Sequence, residues 1–108
     1  MSKLNLIDAW IKAAVEHVTL KISYYSARTK GQASVREVEP DFFGTSRDGK
    51  NTGCWGFCRL RRENRVFMID SILGWEYVGN TFQPNPRGRW KELLPIYTSR
   101  QLDKINWK

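Results

Sequence analysis

A chain of 108 residues fits a single domain with one core, and its 41% apolar content, with five Trp, five Phe and four Tyr, supplies the volume to fill it. That composition excludes global disorder, and apolar runs of only a few residues exclude a bilayer-spanning helix, which takes ~20. The net charge of +7 divides into +2 over residues 1–40 (six basic, four acidic), +1 over 41–80 (six, five) and +4 over 81–108 (six, two), which suits an anionic partner and a well-solvated surface equally.

The first element is a helix. Ile7, Trp10, Ile11, Ala14, Val15 and Val18 recur at helical spacing and form one apolar stripe. Asn5 is placed to cap it, and Asp8 sits in the first turn where the helix dipole favours a carboxylate. Asn5, Asp8 and Lys12 interrupt the apolar residues, unlike a secretory signal, so the expected compartment is the cytosol. His17 lies at the edge of the stripe with no Ser or Cys nucleophile nearby in sequence, and reads as a packing or surface residue.

From Val18 the period changes to two. Leu20, Ile22 and Tyr24 alternate with Lys21, Ser23 and Tyr25, a half-buried strand. A turn is expected at residues 29–32, then a second strand from Val35 to Glu39 that Pro40 ends; the short connection makes the two a hairpin. Arg36 alternates in phase with Val38, which turns it toward the core. A buried guanidinium needs a partner, either a structural carboxylate such as Asp70 or a ligand anion. Glu37 and Glu39 share the other side, where surface ion pairs fit better than acid catalysis.

Residues 44–53 form a polar, glycine-rich stretch expected to be a mobile loop. Cys54 to Arg61 reads as a central strand, Arg62-Glu63-Asn64 as a turn, Arg65 to Ile69 as its hairpin partner, and Ile72 to Val78 as a fifth strand closed by Gly79-Asn80. Cys54 and Cys58 stand roughly 13 Å apart along such a strand, too far for a disulfide, and lack the further ligands of a zinc site; they read as small buried thiols. No cofactor is expected. The fold class is mostly β with an N-terminal helix: a small five-stranded barrel or strongly bent antiparallel sheet over residues 1–83.

Residues 84–108 read as a basic appendage that wraps the barrel or meets a second subunit. Pro95 is expected to break a helix begun at Trp90, and Thr98-x-x-Gln101 resembles a capping box before Leu102 and Ile105.

The chemistry of enzymes is missing from the pattern. There is no G-x-x-x-x-G-K-[ST], H-E-x-x-H or G-x-S-x-G, and the single histidine belongs to the helix stripe. What is present is a cluster of arginines. Trp55, Phe57, Arg59 and Arg61 are expected on one strand face, with Cys54, Gly56, Cys58 and Leu60 on the other, and Arg65 shares a face with Phe67 and Ile69 after the turn. Guanidinium groups beside aromatic rings suit an anion with a planar group; the ordinary alternative is that hairpin-tip arginines are solvated caps on strand ends.

Two stretches together resemble a WYL domain over roughly residues 7–80. The first is Ile22-Ser23-Tyr24 followed by Arg36-Glu37-Val38-Glu39-Pro40. The second is Gly56-Phe57-Cys58-Arg59-Leu60-Arg61 followed by Arg65-Val66-Phe67-Met68-Ile69-Asp70-Ser71-Ile72. The tripeptide that names the family falls on Thr52-Gly53-Cys54, with none of its side chains kept, and Ser71 stands where an arginine is usual. The resemblance implies an Sm-like barrel, a bacterial and cytoplasmic setting, and a regulatory module of the kind linked to transcription control and to antiphage or CRISPR-associated systems. With little chain on either side of the barrel, a standalone module is expected. The implied pocket retains Tyr24, Arg36, Arg61 and Arg65, with Phe57 and Arg59 in support. The expected function is therefore sensing of nucleic acid or a nucleotide-like anion, without catalysis or membrane association. The rival is a protein–protein module, dimerising or docking onto a larger regulator through residues 84–108.

Overall fold

The computed structural model describes residues 4–25, 32–45, 47–50 and 52–107. A helix α1 (Leu6–Glu16) leads into five strands, β1 (Val18–Tyr25), β2 (Ala33–Thr45), β3 (Thr52–Cys58), β4 (Glu63–Met68) and β5 (Ile72–Thr81). Helix α1 starts as its sequence dictates: Asn5 Oδ1 accepts the Asp8 N–H at 2.8 Å. It ends at His17 in the left-handed conformation (φ 59°), which turns the chain directly into β1. His17 then sits edge-on to Trp90 at 4.5 Å and to Phe82 at 5.9 Å, so it fills a seam between the first and last parts of the chain.

The sheet is antiparallel in the order β4-β3-β2-β1-β5. Its two edges, β4 and β5, are joined only by the 3₁₀ turn Ile69–Ser71. Four Cα steps from Met68 to Ile72 reach ~14 Å at most, whereas the edges of a flat five-stranded sheet lie ~19 Å apart. The sheet must curl to let β4 hand the chain to β5, which gives the bent, barrel-like form expected from the sequence.

Strand β2 corrects the expectation that Pro40 ends it. It runs thirteen residues, with Pro40 inside and a register shift between Pro40 and Phe42. A bulge is where a residue without an N–H costs least, and it bends the strand around the core. Opposite Pro40 stands Gly56, where a Cβ would come within 2.7 Å of the Glu39 carbonyl and 3.2 Å of Trp10. There the Trp10 indole N–H donates to the carbonyls of Phe42 (3.0 Å) and Trp55 (3.2 Å), fastening α1 to two strands.

Other boundaries move by a few residues. Gly44, Thr45, Thr52 and Gly53 belong to strands, so the polar stretch shrinks to 46–51, of which Ser46 and Asn51 lie outside the described residues. Strand β3 stops at Cys58, Arg59 to Arg62 make the turn, and Glu63 and Asn64 already pair in β4. Ile69 belongs to the 3₁₀ turn rather than to β4, and β5 continues through Gly79-Asn80 to Thr81. The turn expected at 29–32 falls outside the described residues except for Gln32.

The C-terminal stretch also departs from expectation. Trp90–Leu93 is a 3₁₀ turn that runs straight into α2 (Leu94–Ser99), with Pro95 in the first turn of α2, where its missing N–H has no helical partner to lose. Thr98 lies within α2 and Gln101 is left-handed (φ 52°), so the pair is no capping box. The 3₁₀ turn Leu102–Lys104 follows. Leu93 and Leu102 are fully buried beside Ala13, Ala14, Leu20, Ile22, Val38 and Phe67 in one core.

Candidate ligand site

Arg36 is the most unusual residue of that core. Strand β1 aligns Ile22 with Arg36 and Tyr24 with Ser34. Alternation therefore turns Ile22, Tyr24, Ser34, Arg36 and Val38 to the inner side, as their burial bears out. Arg36 is 4% exposed, its Nε donates to Ser34 Oγ at 3.2 Å, and its Nη1 lies 3.6 Å from Cys58 Sγ. Among the described residues no carboxylate is within ion-pair distance of it; Asp70, the carboxylate named as a candidate partner, is exposed elsewhere. A guanidinium with two weak neutral partners is held in the interior at a desolvation cost that a nearby anion would offset.

Tyr24 is 8% exposed and meets Phe67 edge-on at 5.1 Å; Phe67 in turn meets Trp10 at 6.3 Å. Arg65 lies across Phe67 at 6.0 Å with only a loose contact to Glu63 at 3.9 Å. Tyr24 and Arg65 thus meet Phe67, and Arg36 meets Cys58, all on the inner side of the sheet. Ser34 has no place in the sequence reading, although it stands two residues from Arg36 on the same strand face; Cys58 is expected there only as a buried thiol and Phe67 only as sharing a face with Arg65.

The other expected site residues separate from this group. The register pairs Gly56 with Arg65 and Cys54 with Phe67, so Arg65 shares the inner face, while Trp55 and Phe57 point to the outer one. The two arginine-and-aromatic groups read from the sequence therefore lie on opposite sides of the sheet, with Arg65 and Phe67 inside and Trp55 and Phe57 outside. Because β3 ends three residues early, Arg59 and Arg61 lie in the turn and share no strand face with Phe57. Arg59 bonds to Glu39 (2.9 Å) and Glu37 (3.3 Å), which occupies its charge. Arg61 and Arg62 are exposed at the tip.

Glu37 is a hub of this outer side. Its Oε2 accepts from Asn80 Nδ2 (2.7 Å), Thr19 Oγ1 (2.7 Å) and Arg59 Nη1. The Asn80 and Thr19 hydrogen bonds, with Arg59 and Lys21 nearby, hold its carboxyl below the ordinary carboxylate value against the opposing effect of burial. The network ties β2 to β1, β5 and the β3–β4 turn. Both cysteines are free and buried, and burial pushes the Cys54 thiol up to about 12. Among the described residues no set of three or more His, Cys, Asp or Glu side chains could hold a metal, and no helix is long and apolar enough to cross a membrane.

No protein-family model matches the chain, and no curated protein does. Among solved structures it is similar to proteasome accessory factor B/C (PafBC) of Arthrobacter aurescens, at 22% identity with a TM-score of 0.67. That similarity covers 93% of this chain and 14% of the PafBC chain. The helix-and-curled-sheet architecture is thus found as one part of a much longer protein, and the likeness is one of fold.

Proposed function

We propose that this chain is a ligand-sensing regulatory module that takes nucleic acid or a nucleotide-like anion at Tyr24, Arg36 and Arg65, with Arg61 at the adjoining turn. The observation that carries the reading is Arg36, a buried cation that has no carboxylate within ion-pair distance among the described residues. Tyr24 and Phe67 supply aromatic surface on the same side of the sheet, and Arg65 supplies a second cation, loosely paired with Glu63 at 3.9 Å. Phe57 and Arg59 act indirectly, Arg59 by bracing the turn through Glu37 and Glu39. The PafBC fold is consistent with the WYL-like pattern of the sequence and with a regulatory role.

We read the chain as non-enzymatic, because its sequence carries none of the catalytic motifs named above and Glu37 and Glu39 are committed to structural bonds. The test is calorimetric titration with mononucleotides and short oligonucleotides. Arg36→Met keeps the volume and removes the charge, and is expected to abolish binding with the fold intact. Unchanged affinity for every anionic ligand in Arg36→Met and in Arg61→Ala/Arg65→Ala would falsify the assignment.

A second reading, self-association or docking through residues 84–108, is favoured by Leu94 and Ile96, each 37% exposed on α2. Light scattering on Leu94→Asp/Ile96→Asp separates the two. Loss of a dimer in that variant, with no anion bound by either protein, favours association.

A further inference from the structure

The outer face of β2 and β3 carries an aromatic surface whose two rings, Phe42 and Trp55, lie outside the family-like stretches. Gly44 and Gly53 are directly opposed in the β2–β3 register. A Cβ on Gly44 would meet the Phe42 ring at 2.7 Å, and one on Gly53 would meet Val66 at 2.8 Å and the Trp55 ring at 3.1 Å. The ends of two rings therefore reach over two glycines, with Phe42 and Trp55 inclined at 60° to each other and their centres 5.6 Å apart. Side chains at 44 and 53 would displace the rings, and Val66, 40% exposed, continues the surface.

The linker after β5 brings cations to the rim. Asp41 accepts the Arg89 N–H at 3.1 and 3.2 Å, which fixes residues 85–89 across the groove. The Arg89 guanidinium lies 3.8 Å from the Phe42 ring centre, held by Glu92 at 2.7 and 3.1 Å. Arg87 is exposed, and among the described residues its side chain has no partner; only its backbone N–H is bonded, to Asn85 Oδ1 at 2.9 Å. Between linker and strands runs an open groove of 360 Å³ bordered by Trp55, Val66, Arg65, Arg87 and Arg89, the size of an ordinary ligand pocket.

From this arrangement we infer that the groove is a binding surface for single-stranded nucleic acid, with a base stacking on Trp55 and its phosphate meeting Arg87. An indole packed over Gly53 and against Phe42 has little freedom to lose on stacking, and stacking tolerates any base. Arg87 is the cation free for a phosphate, since Asp41 is engaged by the linker and Glu92 by Arg89. The inference rests on the nucleic-acid half of the proposed function but uses none of Tyr24, Arg36 or Arg61.

The test is fluorescence anisotropy of the full chain with labelled oligothymidylate and oligouridylate across a salt series. Arg87→Glu is an exposed change that spares the fold. It is expected to weaken binding about tenfold at low salt and to flatten the salt dependence. Trp55→Leu should cost about tenfold at all salt concentrations, while Lys104→Ala, which removes an exposed cation outside the groove, binds these strands as the unmodified protein does. If Arg87→Glu and Trp55→Leu both bind normally, the groove is not the surface, even where Arg36→Met has lost its ligand. If the unmodified protein binds neither strand, the inference falls, and the Arg36 site is judged on its mononucleotide titration alone.

Discussion

Two buried cations, each 4% exposed, occupy opposite situations in this fold. Lys12 of α1 is saturated: its Nζ donates to Glu16 at 2.7 Å and to the Leu102 carbonyl at 2.8 Å, and lies 5.2 Å from the Trp107 ring. Glu16 is itself fixed by the Tyr97 hydroxyl at 2.7 Å, and Arg100 reaches Asp8 on the same helix at 2.5 Å. Burial and the Glu16 carboxylate together push the Tyr97 hydroxyl above its ordinary value, so it stays protonated and donating. Among the described residues Arg36 has only a hydroxyl and a thiol. Equal burial therefore says little about role; the partner set separates a clamp from a site.

The comparison can be broken by removing each charge at constant volume. Lys12→Met should destabilise by about 2 kcal/mol, since it strands a part-buried carboxylate and a buried carbonyl, measured as a lower urea midpoint at unchanged slope. Arg36→Met should act in the other direction, raising stability by about 1 kcal/mol in the absence of ligand, because an unpaired buried charge is replaced by an apolar side chain of similar length. A loss of stability there as large as for Lys12→Met would mean that Arg36 is structural. The smallest effect is expected at Glu37. Its lowered value means that its stabilisation is fully present above the ordinary 4.5 and disappears as pH falls below that through the folded-state value. Glu37→Gln should leave stability at neutral pH slightly reduced and flatten the acid limb of a stability–pH profile.

The residues that could be read from the sequence are those whose surroundings are local. The Asn5 cap, the α1 stripe, the alternation of β1 and the burial of both cysteines depend on neighbours within a few positions. Pro40 and Pro95 were misleading because proline's effect depends on context: at a bulge its missing N–H costs little, and in a helix's first turn its fixed φ is helpful. Shifting the β3–β4 turn by three residues was enough to take Arg59 and Arg61 off the expected face. Arg36 was legible as inward-facing, yet its lack of a carboxylate was not, since that depends on every strand around it. Lys12 gave no signal at all. On a helix a lysine reads as solvated, and its acceptor at Leu102 lies ninety positions away.

That ninety-residue separation has a consequence for synthesis. Helix α1 leaves the ribosome well before the side chains that help cover it, Leu93 and Leu102, are made. At 5–20 residues per second the interval is roughly 5–18 s. Throughout it the nascent chain presents the side of the helix that meets the C-terminal elements without its final cover, a stretch of exposed apolar surface of the kind chaperones recognise.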